Sequence, residues 1–136
     1  MNMRKLEYFE EELSASPLGR EMLVVIRSHT DEVTTLINGN RAVMVAWQRN
    51  RGPSFLTSAM DSGFSEHTPV RKEIDGVSLQ QLLLRMADAL QQSGSRGLAV
   101  TIARYASPVM TAARECVSLS ELFNRIRAGT LAGSAP

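Results

Sequence analysis

An all-α fold is what this sequence predicts, and three observations carry the prediction. Apolar residues recur at helical spacing through most of the chain, as in Leu79, Leu82, Leu83, Met86, Ala87 and Leu90. Most of these stripes follow a Ser or Asn able to cap a helix, and Gly and Pro separate them. The stretches so marked differ in length. That suits a compact irregular or orthogonal bundle of five to seven helices better than a set of matched long rods. The chain has 136 residues, enough for one domain that buries roughly 65–70% of its unfolded surface without a disulfide or a metal. Residues 1–128 are read as a single helical domain and 129–136, small and polar, as a flexible tail.

In chain order, Leu6, Phe9 and Leu13 put one apolar face on a short helix over 3–13, opposite Glu7, Glu10, Glu11 and Glu12. Ser16-Pro17 opens a second helix, with the hydroxyl as cap and proline at the first helical position, where its missing N–H is harmless. This helix should run to Ile37 and stop at Asn38-Gly39. Its stripe is Leu18, Met22, Val25, Ile26, His29, Val33 and Leu36, yet Leu23 and Val24 point away from it. A helix apolar nearly all round either runs through the middle of the bundle or keeps a second face for another chain.

Asn40 caps a third helix over 41–51, and Gly52-Pro53 interrupts it before a short continuation over 54–60. From 61 to 76 the pattern dissolves into the longest loop, in which Asp75-Gly76 marks a turn too short to announce a sheet. The helix over 79–92 follows, with Ser78 and Gln81 spaced as a capping box. Ser93-Gly94-Ser95 stops it and caps the next, which carries Leu98, Ile102 and Tyr105. Ser107-Pro108 repeats the device of Ser16-Pro17 and predicts a fresh short helix through Cys116. Ser118 and Glu121 then form a second capping box over Leu119, Leu122, Phe123 and Ile126.

Fifteen basic against fourteen acidic residues give a net charge of +1, so no global field draws the protein to nucleic acid or an anionic membrane. The longest apolar runs, 22–26 and 42–47, fall far short of the roughly 20 residues that span a bilayer. Acids near the N-terminus occupy the place where a secretory signal would need an apolar run, and a cytoplasmic location is expected. A single cysteine, Cys116, excludes an internal disulfide and every multi-cysteine zinc arrangement.

The chemistry available to an enzyme is thin. The two histidines, His29 and His67, have no ligand spacing between them, and His29 reads as a boundary residue hydrogen-bonded at the edge of the core. Cys116, spaced from Val109 and Ala113 on one face, reads as a small buried hydrophobe. No nucleophile elbow and no phosphate-binding glycine loop occurs. A non-enzymatic module that binds another protein, or a second copy of itself, with no cofactor, is therefore the expectation.

Two places suit that role. The apolar excess at Leu23, Val24 and Leu84 is one. The other is the corner over 47–54, where Trp47, Arg49 and Arg51 lead into Ser54. An Arg51 guanidinium four residues from Trp47 can lie over the indole, and the N–H groups after Pro53 can receive a carboxylate or phosphate. The rival expectation is a small DNA-binding regulator, because residues 79–106 loosely resemble a helix-turn-helix with Arg96, Thr101 and Arg104 on the second helix.

Overall fold

Five hydroxyl or amide caps set the helix starts. The computed structural model of the chain describes residues 3–64 and 68–129. Among them are seven helices: α1 (Met3–Ser14), α2 (Pro17–Gly39), α3 (Arg41–Arg49), α4 (Gly52–Phe64), α5 (Leu79–Ser93), α6 (Arg96–Glu115) and α7 (Leu119–Arg127). The caps are Ser16, Asn40, Ser78, Ser95 and Ser118, each accepting from the backbone N–H three residues on, at 3.0–3.2 Å. Each satisfies a donor that the first turn would otherwise leave orphaned. The all-α expectation holds, with the helix count at its upper end.

Four details differ from what the pattern announced. The expected loop over 61–76 is shortened from both sides, because α4 continues to Phe64 and a hairpin closes its far end. In that hairpin β1 (Glu73–Ile74) pairs antiparallel with β2 (Val77–Ser78). Asp75 and Gly76 sit at φ 49° and 80°, the two left-handed residues of a type I′ turn, whose twist matches that of paired strands. Second, Ser107-Pro108 starts nothing: α6 runs unbroken from Arg96 to Glu115 with Pro108 inside it. The ladder lacks one rung there, and the helix persists because its flanks are held by packing. Third, the reciprocal half of the first capping box is spent elsewhere, since Gln81 Nε2 donates to Asn50 Oδ1 at 3.0 Å. Finally, Glu121 reaches back past its own cap and accepts from the Val117 N–H at 2.9 Å.

The core has two centres. One gathers Phe9, Leu13, Leu23, Phe123 and Ile126 from α1, α2 and α7. The other gathers Val43, Phe55, Ile74, Leu82 and Met86 from α3, α4, the hairpin and α5. α2 and α4 belong to both: α2 sends Leu23 to the first and Leu36 to the second, and α4 sends Met60 to the first and Phe55 to the second. α1 crosses α2 so closely that a Cβ on Gly19 would overlap the Leu13 carbonyl, which only glycine permits. Ion pairs from Glu10 to Arg27 and from Glu12 to Arg127 fasten the rim of α1. α5 and α6 pack along much of their length as a helical hairpin.

Candidate functional site

At the corner over 47–54, Trp47, Asn50 and Arg51 have contacts within the chain. The half-buried Trp47 ring lies against Gly52, where a Cβ would overlap the indole. Asn50, buried, donates to Ala46 O at 2.7 Å and accepts from Gln81, binding the α3–α4 junction to α5. Arg51 takes a left-handed backbone, φ 60°, which turns the chain between the two helices. Its Nε lies 3.6 Å from the Asp75 carboxylate, so its partner is the hairpin turn and not the indole. Asp75 thus places a carboxylate of the chain beside Arg51. Arg49 and Ser54 are exposed beside it.

The apolar residues singled out in the sequence separate into two kinds. Leu23 is buried in the first core centre and is covered by this chain. Val24 and Leu84 are 65% and 55% exposed, and Ile26 and Val100, which the stripe reading assigned inward or passed over, are also exposed. No helix among the described residues is long and apolar enough to cross a membrane.

His29 stitches α2 to α6: its Nε2 lies 3.0 Å from Thr101 Oγ1. Its Nδ1 is 3.9 Å from Glu32 Oε1. The order hydroxyl, imidazole, carboxylate resembles a nucleophile, its base and an orienting acid. The third link is missing, however, because 3.9 Å exceeds a hydrogen bond and Glu32 is committed elsewhere. Its two oxygens accept the Ser95 N–H at 2.5 Å and the Ser95 Oγ–H at 2.8 Å, at the start of α6. Those two bonds hold its carboxyl below the usual glutamate range, against the opposing pull of desolvation. The cluster is a clamp between helices. His67 lies outside the described residues, and among the described residues no three His, Cys, Asp or Glu side chains come together to hold a metal.

Cys116 ends α6 as its cap residue and is buried, and burial pushes its thiol pKa up. Beside it the Lys72 ammonium donates to the carbonyls of Ala113 and Cys116, the last acceptors of α6. Desolvation lowers the Lys72 pKa.

Two apolar spaces lie around α5 and α6. A groove of about 260 Å³ runs between them, lined by Leu83, Met86 and Leu90 on one side and Ile102, Tyr105 and Val109 on the other. A deeper cavity of about 300 Å³ lies where α2, α4, α5, α6 and α7 meet, with Leu83 and Val109 shared between the two. Neither was foreseeable from periodicity, which gives the apolar face of a helix but not how closely its neighbours approach it. The many alanines of α6 were the available signal.

On a helix-turn-helix reading, α6 would present Arg96, Thr101 and Arg104. Thr101 is bonded to His29, while Arg104 lies 3.8 Å from Glu21 and over the Tyr105 ring, so two of the three are engaged inside the chain. Compared with known proteins, the chain matches no family model, no curated protein and no solved structure.

Proposed function

We propose that the chain is a non-enzymatic protein-interaction module, an adaptor, accessory or regulatory protein of the cytoplasm, that receives an apolar helix of another protein in the groove between α5 and α6. The groove itself carries this reading. It offers apolar side chains at successive turns of two antiparallel helices, which is the slot that residues at i, i+3, i+4 and i+7 of an amphipathic helix fill. Leu84, on the shoulder of α5, extends the apolar area into solvent. The corner at 47–54 is the weaker candidate, because Trp47, Asn50 and Arg51 already have partners in the chain. A free, buried Cys116 suits a reducing compartment.

The test is photo-crosslinking from a benzophenone residue at position 84, with and without Ala106→Glu, which sets a carboxylate on the groove wall away from both core centres. A discrete crosslinked protein, lost in Ala106→Glu while the helical circular dichroism is unchanged, is the expected result. If that protein is a second copy of the chain, sedimentation should show a dimer that the variant also loses. Equal crosslinking by the variant overturns the groove as the docking face, and a salt-sensitive shift with duplex DNA would favour residues 79–106 as a DNA reader instead.

A further inference from the structure

The cavity at the meeting of α2, α4, α5, α6 and α7 has a wall without polar character. Two serines contribute to that wall, Ser62 and Ser118, and both hydroxyl oxygens are bonded within the chain. Ser62 Oγ donates to Ala59 O at 2.7 Å and accepts from Leu119 N at 2.9 Å, and Ser118 Oγ accepts from Glu121 N. Apart from these and the weakly bonding Cys116 thiol, the lining is apolar. Water gains little from such a place, because a buried water needs two to four polar partners. A well-packed core also leaves few voids larger than a water molecule. Small residues, Ala59, Ala112 and Ala113, hold this one open.

Shape and charge narrow the occupant. The cavity, about 300 Å³, lies at the lower end of the ~300–1,000 Å³ typical of ligand sites, and it shares Leu83 and Val109 with the α5–α6 groove as lining residues. Lys72 stands outside the lining, and its ammonium donates to the backbone carbonyls of two lining residues, Ala113 and Cys116. An ammonium has three donors, and two are taken. The nearby acids are already engaged, Glu121 with Val117 N and Glu115 with Arg125 at 2.9 Å. We propose that this cavity binds the hydrocarbon tail of a single-chain fatty acid, with the carboxylate at the rim beside Lys72 and the tail inside, against Leu83 and Val109. This site goes beyond the protein-docking role and stands without it.

The full chain, stripped of lipid on a hydrophobic resin, is titrated with dodecanoate and with 1-dodecanol below their aggregation limits, by calorimetry and by thermal unfolding. Saturable one-to-one binding of both, with a rise in Tm, is expected. Ala59→Phe and Ala113→Phe fill the space from opposite walls and should weaken both ligands at least tenfold, while their own Tm stays at or above that of the parent. Lys72→Met should weaken dodecanoate about fivefold and leave dodecanol unchanged. Should a filled variant fail to fold, alkylation of Cys116 by N-ethylmaleimide provides a second readout, because dodecanoate in the cavity must slow it. The proposal is overturned by the absence of saturable binding to the parent chain, by undiminished binding in the folded filled variants, or by Cys116 alkylation that ignores the ligand. Equal loss of acid and alcohol in Lys72→Met would overturn the role given to the ammonium.

Discussion

At position 52 a single missing side chain decides how two helices meet. Gly52 admits the Trp47 ring, and Arg51 before it holds a left-handed backbone that a side-chain-bearing residue adopts at an energetic cost of about 1–2 kcal/mol. Gly52→Ala is expected to lower stability by roughly 1–3 kcal/mol, whereas Gly39→Ala, whose Cβ would meet nothing within 4 Å, is expected to be neutral or slightly stabilising. Urea denaturation of the two variants side by side checks the contrast. The sequence marked this corner as unusual but not how its side chains are arranged. Trp, Arg and Gly-Pro in succession suit an anion site as well as a helix junction. Choosing between them needs the positive φ of Arg51 and the approach of Asp75, a residue distant in sequence.

Between elements, the clamp from α2 to the start of α6 gathers several neighbours on one carboxylate. Glu32 meets Ser95 twice and faces His29, so the chain's longest helix is tied to the cap of the next longest. Because the folded pKa of Glu32 lies below its ordinary 4.5, its contribution to stability is present above that value and is lost as pH falls through the folded pKa. Glu32→Gln keeps one acceptor oxygen but replaces the other with an amide donor, so one of the two bonds from Ser95 is lost and the other loses its charge. The variant should therefore melt at lower temperature than the parent at pH 7, with the gap closing below pH 4.5; a gap that stays constant down to pH 3 would refute the linkage. Helix starts were legible because each cap lies next to the turn it satisfies. The hairpin was legible only as its turn, Asp75-Gly76, since two-residue strands carry no periodicity. Pro108 was misread because proline marks a helix start only where the preceding turn is free to unwind, and in α6 Leu98 and Ala112, on either side of it, are both buried.

In the whole molecule, two core centres share α2 and α4 as struts, and the cavity lies at the seam, touching Met22, Leu119 and Leu122 of one centre and Leu79 of the other. The single stripe that periodicity gave α2 includes the exposed Ile26 and leaves out the buried Leu23, because this helix turns Leu23 to one centre and Leu36 to the other. An apolar hollow at the seam has a mechanical consequence. A folded chain with an apolar hollow that water packs poorly takes up more room than the same chain unfolded in water, and compression then favours the unfolded form by a volume change that scales with the void eliminated. Under hydrostatic load, with Trp47 fluorescence as the gauge, the parent chain should give way at lower pressure than Ala59→Phe even where heat separates the two only slightly.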